Sequence, residues 1–114
     1  MPSKIKTPKS IVKNCKKSLE ELKALDICSF EVEKISSFTS FILIASGTSS
    51  RHIQSIADKV TENLKEESIQ ILGTEGKDSK DWILIDAGDV LVNIMSEESR
   101  EHFDLESLWN RDNK

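Results

Sequence analysis

The sequence predicts an α/β protein: a mixed sheet of about five strands with helices packed on it. Three observations carry this. The stretch Ile42–Val60 (ILIASGTSSRHIQSIADKV) passes from a continuously apolar run into a helical period. Residues from Cys28 to Glu33 alternate apolar and polar, as a strand with one wet face should. Near the C-terminus, two β-branched runs flank a glycine-bearing turn, which is the pattern of a hairpin. A chain of 114 residues is one domain, long enough for a single sheet-and-helix core.

Taken in order, residues 1–9 read as a flexible basic tail, 10–109 as the domain and 110–114 as a flexible end. Pro8 and Ser10 introduce a helix whose apolar stripe is Ile11, Val12, Cys15, Leu19 and Leu22. Glu20 and Glu21 sit beside Lys16, Lys17 and Lys23 on its wet side. Cys28, Phe30 and Val32 then alternate with Ser29, Glu31 and Glu33. After a turn around Ser36 and Ser37, the next strand begins near Thr39, close enough to be the antiparallel partner of the first.

Ile42, Leu43, Ile44 and Ala45 form the kind of run that is buried on both faces, and Gly47 permits the tight turn that follows. Thr48, Ser49 and Ser50 offer N-cap oxygens. Ile53, Ile56, Ala57, Val60 and Leu64 form the buried stripe of a helix ending around Glu67. Ile69–Gly73 reads as a strand, and strand, helix and strand together predict a parallel pair joined by a right-handed crossover. Thr74–Asp81 reads as a loop. Trp82–Asp86 and Val90–Met95 form a hairpin around Ala87, Gly88 and Asp89, and Ser96 caps a last short helix opened by Glu97 and Glu98. Leu105, Leu108 and Trp109 are expected to pin the C-terminal segment to the body.

Composition narrows the function. With 32% charged and 37% hydrophobic residues and no apolar run of membrane-spanning length, the chain reads as a soluble cytoplasmic protein without a membrane partner. Cys15 and Cys28 lack a CxxC partner and read as two buried free thiols. Six lysines and no acidic residue precede Ser18, which against a total of −4 leaves −10 for the remainder. Without interleaved aromatic residues, this basic head reads first as a solvated tail and helix face.

Chemical motifs are sparse. The turn Gly47–Arg51 before a helix could cradle a phosphate, and a nucleotidyltransferase-like enzyme using that turn is the alternative function. Its metal would need carboxylates converging from a neighbouring strand. Asp86 and Asp89 straddle a turn instead, and hairpin hydrogen bonding is the better account of Asp89. His52 and His102 share no ligand spacing and read as surface residues, so neither metal nor cofactor is expected. Arg51 is an oddity, a cation in the first turn of a helix that an anion should compensate.

Alternation sends Ile83 and Ile85, with Val90, Val92 and Ile94, to the helix-covered side of the sheet. Trp82, Leu84, Asp86, Leu91, Asn93 and Met95 share the other side. Periodicity leaves two readings of that face level, a docking surface or a face covered by the first helix or the C-terminal segment.

The strings IASGTSSRHIQSIADKVTENLKE and WILIDAGDVLVNIMSEESREHFDLESLW closely resemble the ribosomal silencing factor family, RsfS, also called Iojap-related. The likeness runs from Ile11 to Trp109. It implies a nucleotidyltransferase-like fold without the catalytic carboxylates, and no enzymatic activity. It also implies binding to the large ribosomal subunit through large-subunit ribosomal protein fourteen. Bound there, such a protein sterically blocks joining of the small subunit and represses translation when nutrients are limiting. The resemblance tips the open face toward an interface, with Trp82, Leu84, Asp86, Leu91, Asn93, Met95 and Arg51 as partner-binding candidates. It leaves open a homodimer of the free protein and a contact with ribosomal RNA. Asn93 stands where many members carry histidine and Phe103 where many carry tyrosine.

Overall fold

The computed structural model describes residues 7–110. Its elements are α1 (Pro8–Glu21), β1 (Leu25–Glu31), β2 (Phe41–Gly47), α2 (Ser50–Glu66), β3 (Gly73–Glu75), β4 (Trp82–Asp86), β5 (Val90–Ser96), α3 (Glu97–Phe103) and α4 (Leu105–Asn110). The five strands form one mixed sheet in the order β1-β2-β5-β4-β3. Only β2 and β5 run parallel; the other neighbours are antiparallel.

Local sequence accounts for the helix boundaries. The Thr7 side chain accepts a hydrogen bond from the Ser10 amide at 3.1 Å, and Pro8 fills the first helical position, where no amide is needed. Pro8 and Lys9 therefore belong to α1 rather than to a tail, while residues 1–6 and 111–114 lie outside the described residues. Ser49 caps α2 by accepting from the His52 amide at 3.1 Å. Both long helices close by placing a non-glycine residue in the left-handed region, Lys23 after α1 and Ser68 after α2. The next residue's amide reaches back into the helix in each case, Ala24 to Leu19 O and Ile69 to Leu64 O, both at 2.9 Å.

The two apolar stripes meet over one face of the sheet. Ile11, Val12, Cys15 and Leu19 of α1 join Ile53, Ile56, Ala57, Val60 and Leu64 of α2, and both sets pack on Leu43, Ala45, Ile83, Ile85, Val90, Val92 and Ile94. Each such side chain removed from water contributes on the order of 1.5–3 kcal/mol, so this layer holds the fold together. A smaller cluster of Val32, Ile42, Ile44 and Met95 lies on the other face, flanked by Phe30, Trp82, Leu91, Leu105 and Trp109.

The expected parallel pairing of Ile69–Gly73 with the Ile42–Ala45 strand does not occur. Residues 69–72 are outside any strand, and β3 begins only at Gly73, running through Thr74 and Glu75 of the expected loop. It sits at the far edge beside β4. The place beside β2 goes to β5, in which Val92 through Met95 are all buried. A strand apolar on both faces gains most from a central position, whereas the short, half-wet β3 loses little at an edge.

Two further expectations change. Gly47 is not a left-handed turn residue. A methyl group there would lie 2.7 Å from Ile53 Cγ1 and 3.1 Å from the Ile53 amide nitrogen, so glycine is needed for the close approach of α2 to the end of β2. Of the two thiols, Cys15 is fully buried while Cys28 is half-buried in a polar setting. Burial pushes the Cys15 thiol from 9.0 up to about 12.

Two outcomes follow from this packing. Gly47→Ala should lower stability by about 1–3 kcal/mol in urea unfolding with an unchanged slope, because α2 or the end of β2 must shift; an unaltered midpoint would contradict the close approach. Thiol labelling of the native protein at neutral pH should modify Cys28 well before Cys15, which should react only on unfolding, since the thiolate is the reactive form.

Candidate functional site

Cross-strand register builds the open face row by row. Phe30, Ile42, Leu91 and Asp86 form one row; Cys28, Ile44, Asn93 and Leu84 the next; Ser46, Met95 and Trp82 the third. Parity thus groups Trp82, Leu84, Asp86, Leu91, Asn93 and Met95 on one face, as expected. They are not equally available. Met95 is 0% exposed and Asn93 4%, while Trp82, Leu84, Asp86 and Leu91 are half-buried.

The C-terminal segment explains the difference, because α3 and α4 fold back over the third row and the β1–β2 side. Leu105 and Trp109 pack on the second cluster, whereas Leu108, also expected to pin the segment, is 48% exposed. The Phe103 ring lies 5.0 Å from that of Trp82 at an interplanar angle of 48° and stays 52% exposed. The C-terminal segment therefore covers this face in part, as one of the two readings expected. One half is covered, and the other presents Trp82, Leu84 and Leu91 beside Phe103.

Polar groups set into this face are held in place. Trp82 Nε1 donates to Asn93 Oδ1 at 2.8 Å, and Asn93 Nδ2 lies 3.4 Å from the Leu43 carbonyl. Asp86 Oδ1 accepts from the Gly88 amide at 2.9 Å, and Gly88 adopts φ +81°. Asp86, not the exposed Asp89, is thus the carboxylate that stabilises the hairpin turn. Met95 and Asn93 act as support beneath the surface and do not face outward.

One residue central to the site was not anticipated. Arg100 on α3 is buried and reaches down to the sheet. It donates to Ser46 Oγ at 3.0 Å, and to Glu106 of α4 at 3.1 Å from Nε and 2.8 Å from Nη2. Its Nη2 also lies 3.4 Å from Cys28 Sγ. Burial would lower its pKa, but the hydrogen bond and charge of Glu106, with Cys28 and Asp26, outweigh that and raise it. A lone cation in a segment of Glu97, Glu98, Glu101, Asp104 and Glu106, facing a serine in an otherwise apolar strand, is the sequence signal that points to it.

The Gly47–Arg51 turn lies elsewhere. Arg51 is exposed on α2, in the helical layer, and forms no ion pair with a described residue. It does not join the open face. His52 is not a free surface residue: its Nε2 meets the Leu22 carbonyl at 2.7 Å and its Nδ1 accepts from the Thr48 amide at 2.9 Å. This places the ring proton on Nε2 and ties the turn to the end of α1. His102 is exposed, edge-on to Phe103 at 4.8 Å. A concavity of about 430 Å³ beside the turn is lined by Gly47 through Ser50 on one side and by Lys80, Asp81, Glu97 and Glu98 on the other. Three carboxylates against one lysine oppose a phosphate there. Among the described residues, no three of His, Cys, Asp and Glu gather as a metal site.

Similarity to known proteins agrees with this architecture. The family described as "Ribosomal silencing factor during starvation", RsfS, matches residues 5–114. A ribosomal silencing factor from Haemophilus influenzae is 38% identical over 88% of this chain and 98% of its own length. One from Chromobacterium violaceum is also 38% identical, over 81% of this chain and 75% of its own length. A crystal structure of a protein from Chromobacterium violaceum superposes with a TM-score of 0.89 at 36% identity, covering 91% of this chain and 87% of that one. With its sheet, its GTSSRH turn and its closing helices in place, the chain belongs to the ribosomal silencing factor family.

Proposed function

We propose that this chain silences translation by binding, without catalysis, to the large ribosomal subunit through large-subunit ribosomal protein fourteen. Bound there in the cytoplasm, it keeps the small subunit from joining by occupying volume on the intersubunit surface. Family membership supports the ribosomal setting. A mouse relative, 36% identical over 80% of this chain and 41% of its own length, is named "Mitochondrial assembly of ribosomal large subunit protein 1". The observation that carries the docking reading is the half-covered sheet face, where Trp82, Leu84 and Leu91 remain partly exposed beside Phe103. Such a patch, aromatic and aliphatic with polar groups already paired, suits the centre of a protein interface. Arg51, remote from this patch, is an accessory contact at most.

The fold's relation to nucleotidyltransferases belongs to the same reading. A glycine-serine turn opening a helix at the end of a sheet strand supports it, and although Asp81, Glu97 and Glu98 line the concavity beside that turn, they do not gather as a metal site among the described residues. Asp86 spends an oxygen on its own turn. Labelled nucleoside triphosphates with a divalent metal and candidate acceptors should give no transfer; transfer abolished by Glu97→Gln, at the concavity beside the turn and unlike the remote Asp86, would restore the enzymatic alternative.

The docking face is tested by substitutions that separate binding from folding. Trp82→Ala removes a partly covered ring and leaves buried Asn93 Oδ1 without its donor, so it should lower both stability and binding. Leu84→Ser is the cleaner variant, since Leu84 is half-exposed at the strand centre and has no hydrogen-bonding role. It should unfold within a few degrees of wild type yet co-sediment with purified large subunits about tenfold less tightly, and lose its block of subunit joining. Stable Leu84→Ser protein that binds and silences normally would remove this face from the mechanism.

A further inference from the structure

The outward side of α1 carries charge that the fold does not use. Lys9, Lys13, Lys16 and Lys17 recur at helical spacing opposite the buried Ile11, Cys15 and Leu19. With Val12 and Glu20 they line a groove of about 540 Å³. Among the described residues none of the four lysines is ion-paired. Lys9 stands in the first turn of α1, at the positive end of the helix dipole, and no acidic residue is there to offset it. In α3 the opposite holds, with Glu97 and Glu98 first and Arg100 and His102 last.

We infer that this face of α1 binds the phosphodiester backbone of large-subunit ribosomal RNA, acting as a sequence-independent electrostatic anchor; this rests on the ribosomal reading above. A polyanion is the partner of complementary charge. Lys9 to Lys17 spans about 12 Å of helix, enough to follow several phosphates of one strand. The face has no aromatic ring on which a base could stack, so it contacts backbone and carries no sequence preference. The chain as a whole is acidic, at −4. Such a protein approaching an RNA-rich particle is repelled unless one surface is locally positive, and this face supplies that surface.

The test uses the full chain and its quadruple variant Lys9→Gln, Lys13→Gln, Lys16→Gln, Lys17→Gln, in which Lys9, Lys13 and Lys17 are exposed and Lys16 is half-buried, and glutamine keeps helix propensity at all four. Thermal unfolding of both confirms an intact fold. Affinity for purified large subunits is then measured from 50 to 200 mM salt. Four released counterions correspond to a logarithmic slope difference of about 3, so wild type should lose roughly sixtyfold more affinity than the variant across this range. A benzophenone-bearing residue in place of Lys13 should give crosslinks that RNase removes. Equal slopes, or crosslinks that persist after RNase on a protein or lipid, overturn the inference alone. Failure of wild type to bind large subunits at any salt overturns the ribosomal reading and this inference together.

Discussion

The arrangement of the open face depends on one buried cation. Helices α1 and α2 cover a single side of the sheet, so Ile42, Ile44 and Met95 on the other side would meet water unless something else closed over them. Two helices of seven and six residues are too short to be stable alone and must be held. Arg100 holds them. It joins Glu106 of α4 to Ser46 of β2, and the carboxylate that repays its desolvation is the one that fixes α4 against α3. A buried pair of this kind contributes little net stability compared with an apolar contact of the same volume. Breaking one partner is another matter, since it strands a charge against the sheet. The pair therefore specifies where the C-terminal segment lies more than how tightly the whole chain folds.

That division of labour shapes the candidate surface. Trp82, Leu84 and Leu91 stand on β4 and β5, backed by the main core, and their positions are fixed by the sheet. Phe103 and Leu108 are presented by the short helices, and their positions are fixed through Arg100 and the packing of Leu105 and Trp109. The Trp82–Phe103 contact joins the two parts. Asn93 adds polar specificity from below, since its amide both receives the indole N–H and faces the Leu43 carbonyl.

Much of this was legible in the residues. The period-3.6 stripes located α1 and α2, the GD turn located the hairpin, and parity sorted its side chains correctly between the two faces. Strand order was not legible from neighbourhood in sequence. The expected pairing of Ile69–Gly73 with the Ile42–Ala45 strand assumed that consecutive segments pair, whereas the nearly unbroken apolar run of Val90–Met95 was the better guide to the central position. The role of Gly47 was misjudged because close approach of a helix leaves no trace in the sequence beyond the glycine itself. Arg100 escapes notice because charge patterning treats a short polar helix as a wet one, and only its place as a lone cation in an acidic segment, with the lone serine of β2, hints at a buried donor.

The half-covered face also fits the proposed binding role better than a catalytic one. Catalysis needs groups converging on one point, often kept unpaired and perturbed, and here Asp86 serves its own turn while Asp81, Glu97 and Glu98 do not gather as a metal site among the described residues. Binding asks for the reverse, a rigid apolar centre whose polar atoms are already satisfied, so that desolvation on docking costs little. Asp86 bonded to Gly88 and Trp82 bonded to Asn93 meet that condition before any partner arrives. For a mechanism that works by occupying space, the effect scales with occupancy, and occupancy depends on affinity and concentration alone. A surface organised in advance by the sheet on one side and by Arg100 on the other is suited to that demand, because little conformational freedom remains to be lost when it docks.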